Sequence, residues 1–105
     1  MGGHLVQGHV DGVCTLLDLS GTRENRTLTA EVPADLAQYV VPKGFIAING
    51  ISLTIANVIG TTFSIAVIPY TYEQTTLRRS KPGDHLNLEV DIMAKYIEKL
   101  LSHPA

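Results

Sequence analysis

The chain has 105 residues, enough for one hydrophobic core and too few for a second. It is 45% hydrophobic and only 17% charged, which points to spare apolar surface of the kind an oligomer interface uses. A net charge of −2 leaves no electrostatic footprint for nucleic acid, and no apolar run approaches the length that spans a bilayer.

Residues 4–17 read as a strand punctuated by Gly8 and Gly12, either of which suits a bulge or a close approach. The single cysteine, Cys14, lies in its apolar part. There a buried small hydrophobe is the better reading than a nucleophile, and no Cys/His spacing resembles a zinc site. Met1-Gly2-Gly3-His4 does not open a signal peptide, so a reducing cytoplasm is the expected location.

Residues 20–25 are polar and predict a turn, and 26–32 alternate well enough for a second strand. Residues 33–40, with Pro33 near the start, predict a short helix. Three strands follow in close succession over 45–48, 51–58 and 62–68. Asn49-Gly50 joins the first two and calls for a two-residue turn with positive φ at both positions. On the second of these strands Ser52 and Thr54 are two residues apart and share a face, while Ile51, Leu53 and Ile55 take the other. Two neighbouring hydroxyls on a rigid strand can hydrogen-bond a flat polar ligand or a sugar-like tail.

Pro69 ends the strand before it, and 71–77 predict another short helix. Residues 78–84 form a basic turn whose Arg78, Arg79 and Lys81 are too few for a phosphate or nucleic-acid site. The last strand is 85–90. In 91–101, Ile92, Tyr96 and Leu100, with Ile97 and Leu101, fall on a helical stripe, and Asp91 suits the N-cap. Six short strands with a terminal helix predict an all-β fold, a small antiparallel barrel.

Three motifs now stand in order: residues 2–11 (Gly-Gly-His-Leu-Val-Gln-Gly-His-Val-Asp), the run from Lys43-Gly44-Phe45 through Asn49-Gly50-Ile51-Ser52-Leu53-Thr54, and Ile68-Pro69 with Thr71 and Thr75-Thr76-Leu77. Together they closely resemble riboflavin synthase, and more narrowly its C-terminal half. The resemblance implies a six-stranded Greek-key barrel over residues 1–90, with short helices, and an association helix and tail over 91–105. It also implies a transferase without metal or organic cofactor. Two molecules of 6,7-dimethyl-8-ribityllumazine exchange a four-carbon unit, giving riboflavin and a ribitylamino-pyrimidinedione.

In that family the site lies between the N-terminal barrel of one subunit and the C-terminal barrel of its neighbour. The first barrel has no counterpart in this chain, so the expectation is an isolated second domain, with a naturally single-barrel relative as the alternative. Its expected partners are the lumazine, the product riboflavin, the N-terminal synthase barrel and further copies of itself, as a trimer or, for a lone barrel, a dimer. Weak or absent catalysis is expected of it alone.

The resemblance assigns Ser52 and His9 to catalysis. It assigns Gly8, Val10, Lys43, Ile48, Asn49, Gly50, Thr54, Ile68, Pro69 and Thr71 to substrate binding, with Ile48, Asn49 and Gly50 acting through their backbone. Each has a plainer reading. Ser52 and Thr54 suit an exposed polar edge, His9 a structural role, Thr71 a helix N-cap, Gly50 its turn and Lys43 a solvated cation. The apolar stripe of the tail either covers the barrel or pairs with other copies. A non-catalytic lumazine or flavin antenna of the same fold is the competing function. A reductase flavin barrel is disfavoured because no Arg-x-Tyr-Ser/Thr motif is present.

Overall fold

Apolar and polar residues alternate along Arg26–Glu31, which sends Leu28 and Ala30 inward and leaves Thr27 exposed on the other face. Five more segments, among them the wholly apolar Phe45–Ile48, are extended as well. In a computed structural model of the protein, which describes residues 10–74 and 76–102, they close into an antiparallel barrel. The strands are β1 (Gly12–Gly21), β2 (Arg26–Glu31), β3 (Phe45–Ile48), β4 (Ile51–Ile59), β5 (Thr62–Val67) and β6 (His85–Val90).

Around the barrel the order is β1-β2-β5-β4-β3-β6. β5 therefore lies beside β2 and β6 beside β3, as Greek-key connections require. Closure leaves no open sheet edge. The interior is filled by Leu16, Leu28, Ile48, Ile55, Phe63 and Ile65, all essentially without solvent contact. Side chains of this size each contribute about 1.5–3 kcal/mol by burial, so this core is the main support of the barrel.

Three local expectations are corrected. β1 starts at Gly12 and runs on to Gly21, because a bulge at Leu17 restores pairing of Asp18 through Gly21 with β2. Residues 4–9 of the expected strand lie outside the described residues. The helix expected over 33–40 shrinks to a 3-10 turn at Ala37–Tyr39. Pro42 keeps Val41 out of the helical region, and Val40 is already extended (φ −101°, ψ 105°) and buried.

The helix expected over 71–77 begins earlier, as α1 (Pro69–Gln74), with a separate 3-10 segment at Thr76–Arg79. Proline suits the first helical position because its missing N–H has no partner there. The Ile68 carbonyl accepts from the Tyr72 N–H at 3.1 Å, so Ile68 is the cap and Thr71 sits inside the helix. Thr71 is not an N-cap.

The tail forms α2 (Ile92–Ser102). Asp91 caps it as expected, its Oδ1 accepting from the Met93 N–H at 3.0 Å. The helix is attached to the barrel through Asp11, whose carboxylate accepts from the Val90 N–H at 2.9 Å and pairs with the Lys95 ammonium. The apolar stripe does not cover the barrel: its exposure ranges from 40% at Ile92 to 77% at Leu101. No helix among the described residues is long and apolar enough to cross a membrane.

Candidate functional site

The β3–β4 hairpin turns on Asn49 (φ 50°) and Gly50 (φ 82°), the two positive φ values that the dipeptide signalled. Asn49 also ties the turn to β6. Its N–H donates to the Asn87 carbonyl at 2.9 Å, and its Oδ1 accepts from the Asn87 N–H at 2.8 Å. The strand carrying the hydroxyl pair is thereby held at its start. Gly50 has open space where a Cβ would stand, so its positive φ, not crowding, selects glycine.

From this turn the register runs Ile48↔Ile51, Ile46↔Leu53, Ala47↔Ser52 and Phe45↔Thr54. A two-residue hairpin makes its first pair the hydrogen-bonded one, so Ala47–Ser52 and Phe45–Thr54 are the closer, non-hydrogen-bonded pairs. Leu53 and Ile55 are buried inside, whereas Ser52 is half-buried and Thr54 exposed on the outer wall. Phe45, 55% exposed, places an aromatic ring beside the Thr54 hydroxyl. On β5, Ile65 pairs with Ile55 of β4, and the exposed Ile68 follows the end of β5 at Val67. Two hydroxyls and an aromatic side chain therefore share one outer face.

Lys43 borders this face. The Gly44 N–H donates to the Val41 carbonyl at 3.0 Å, closing a four-residue turn with Pro42 and Lys43 at its centre. Lys43 occupies the left-handed position (φ 67°), where a type II turn ordinarily holds glycine. Its N–H donates to the Ile55 carbonyl at 2.8 Å, and Ile55 in turn donates to the Gly44 carbonyl at 2.9 Å. Two residues thus oppose one, forming a bulge that leads into β3.

The other expected residues fall less evenly. Ile48 points into the core, and its backbone is taken by pairing with Ile51 on one side and Leu88 on the other. Pro69 opens α1, and Thr71, 5% exposed, is buried within that helix. Val10 is exposed just before β1, on the far side of β6. Gly8 and His9 lie outside the described residues. Cys14 is buried, and desolvation pushes its thiol up to about 11, partly offset by a backbone hydrogen bond; it is a packed hydrophobe, as its apolar strand suggested. Among the described residues no group of His, Cys, Asp and Glu could hold a metal ion.

Two features escaped the sequence reading. Phe45 was visible only as part of a motif, although its place two residues from Ala47 on an outward face followed from the alternation. Glu89, 7% exposed, lies on the outer side of β6 and pairs with Ala47, which pairs with Ser52. Its alternation with Leu88 and Val90 signalled only a solvated carboxylate, since burial on that face depends on what lies over the strand.

The profile of the family described as the lumazine binding domain matches residues 7–91. The chain is 47% identical over 95 residues to a riboflavin synthase of Chlamydia muridarum, covering 90% of this chain and 46% of that one. It is 44% identical over 103 residues to the riboflavin synthase of Schizosaccharomyces pombe, covering 96% and 49%. The chain thus spans about half the length of these relatives. Among solved structures, LumP in complex with 6,7-dimethyl-8-(1'-D-ribityl) lumazine superposes with a TM-score of 0.79 at 22% identity, covering 82% of this chain and 49% of that one. LumP in complex with flavin mononucleotide gives 0.78 with the same identity and coverage. These likenesses show the fold.

Proposed function

This chain belongs to the lumazine-binding domain family, and we propose that its barrel binds 6,7-dimethyl-8-ribityllumazine and riboflavin on the outer face of β3 and β4. The observation that carries this reading is the outward Ser52–Thr54 pair on a hairpin pinned to β6, with Phe45 beside it. The ligands combine a flat ring, polar at its edge, with a polyhydroxyl chain. Hydroxyls match the polar atoms, and Phe45 and Ile68 suit the ring. Lys43 adds a cation at the border, and Thr71, buried within α1, would act by holding that helix rather than by direct contact.

Catalysis is a finer reading. Dismutation removes a methyl proton from one lumazine, whose ring delocalises the resulting carbanion, and joins it to the other. Holding two rings in apposition is then the main task of the protein, with Ser52 and His9 as the residues proposed to act on the reacting ring. One face holds one ligand, so the N-terminal barrel of a synthase, or a second copy with different partner groups, would have to supply the other. For the lone chain, non-catalytic holding of a lumazine or flavin asks for less and is the reading better supported. We place it in a reducing cytoplasm, which suits a buried free thiol.

The test is a titration of the purified protein into riboflavin, read by flavin fluorescence, alongside incubation with the lumazine alone. Saturable quenching without riboflavin formation is expected. Absence of binding would remove the proposal, and turnover at the rate of a two-barrel synthase would show that the chain is more than a half-site.

The exposed stripe of α2 supports association with further copies, since it is amphipathic and lies off the barrel. Leu100→Asp with Leu101→Asp is expected to reduce the sedimentation mass from an oligomer to a monomer without loss of β-structure. A wild-type protein that sediments as a monomer at high concentration would contradict this.

A further inference from the structure

We propose that Arg26 and Tyr72 form a positioning clamp that seats α1 over one mouth of the barrel and thereby fixes Ile68 beside the ligand face. The proposal rests on the binding reading above and adds two residues outside the expected site.

Arg26 is the first residue of β2, in register with Gly21 on one side and Val67 on the other. Directly opposed residues share a face, and Val67 is buried. Arg26 therefore projects on the inner side of the wall, two residues before the fully buried Leu28, at the point where the barrel opens. A guanidinium there needs partners or a route to water. It has partners: it lies 3.7 Å from the centroid of the Tyr72 ring, and its Nη1 donates to the Thr22 carbonyl at 3.3 Å. An arginine stacked on an aromatic face is held by the ring quadrupole, and its planar shape makes lysine an imperfect replacement.

Tyr72 belongs to α1, which has six residues. A helix that short does not persist unaided, so its place is set by what it touches. Tyr72 packs against the core and Thr71 is buried. The Tyr72 N–H donates to the carbonyl of Ile68, the exposed residue that follows β5 and that the binding reading places against the ligand ring. The path from cation to site is therefore short: Arg26 holds the Tyr72 ring, Tyr72 holds Ile68 through the first helical hydrogen bond, and Thr71 travels with the same turn.

The experiment compares wild type, Arg26→Met, Arg26→Lys, Tyr72→Leu and Tyr72→Phe for riboflavin affinity, at a temperature where thermal melts show each to be folded. Amide hydrogen exchange across residues 69–74 is followed without ligand. Arg26→Met and Tyr72→Leu are expected to weaken binding roughly three- to tenfold, the range that loss of one cation–π contact allows, and to speed exchange in α1 selectively. Tyr72→Phe, which keeps the ring, should bind like wild type, and Arg26→Lys should fall between.

Unchanged affinity and α1 exchange in folded Arg26→Met would overturn the clamp. Should Arg26→Met not fold, Arg26→Lys decides in the same way, with wild-type affinity and exchange overturning it. Failure of wild type itself to bind would instead remove the binding reading, and this proposal with it.

Discussion

Replacing Ser52 and Thr54 together by alanine is expected to lower riboflavin affinity by about two orders of magnitude while leaving the barrel folded. Each hydroxyl lost removes a hydrogen bond to the ligand, at about 1–1.5 kcal/mol apiece. Together these penalties correspond to a factor on the order of one hundred. Stability changes by less than about 1 kcal/mol, the span of strand propensity, because both side chains stand on the outer wall of β4. The neighbouring Leu53→Ala gives the opposite result: Leu53 is buried, so truncation destabilises by about 2–5 kcal/mol. Fluorescence titration and urea unfolding on both variants check the pair. A double variant that binds like wild type would empty the proposed site of its main contacts.

Lys43→Gly is expected to stabilise the protein and weaken ligand binding at once. Lys43 holds a left-handed backbone (φ 67°) at the bulge leading into β3, a conformation that costs a residue with a Cβ about 1–2 kcal/mol. Glycine removes that strain but adds freedom to the unfolded chain, worth roughly 0.4–1 kcal/mol. The net gain is therefore of the order of half a kcal/mol to 1 kcal/mol. Strain of this sort persists where the side chain has a task. Lys43 is exposed just before β3, whose Phe45 pairs with Thr54, and removal of its ammonium should cost about three- to tenfold in affinity, the worth of one charge-assisted hydrogen bond at a partly exposed site. A shift in urea midpoint together with the titration separates the two effects. A glycine variant that loses stability and keeps its affinity would show that the lysine has no part in binding.

Much of the architecture was legible because its signals are local. The spans 45–48 and 85–90 match β3 and β6, and Asn49-Gly50 makes its turn where the dipeptide requires it. The inward set Leu53 and Ile55 and the outward set Ser52 and Thr54 follow from the two-residue period. Misreadings arose where long-range pairing decides. Nothing in Leu16-Leu17-Asp18 announces a bulge; β2 imposes it, and with it the extension of β1 through Ser20 and Gly21. Helix 33–40 is lost because Leu36 and Val40 are drawn into the core before Pro42, which propensity alone does not register.

The site divides in the same way. Ser52 and Thr54 are adjacent on one strand and could be paired from their spacing. Their pairing with Phe45 follows from the short hairpin, whereas the nearness of Glu89 depends on a strand 37 positions away from Ser52 in sequence. Arg26 and Tyr72 meet only after β2 and β5 pair. For Gly8 and His9 the proposal rests on the resemblance alone, since both lie outside the described residues.

The central claim, that ligand binds on the outer face of β3 and β4, is tested most directly by mapping backbone amide chemical shifts during a riboflavin titration. The largest shifts are expected at Lys43, Phe45, Ser52 and Thr54, neighbours on one wall, and at Ile68 beyond the end of β5. Shifts concentrated instead on the outer faces of β1 and β2, at Val13, Thr27 and Thr29, with β3 and β4 silent, would contradict it.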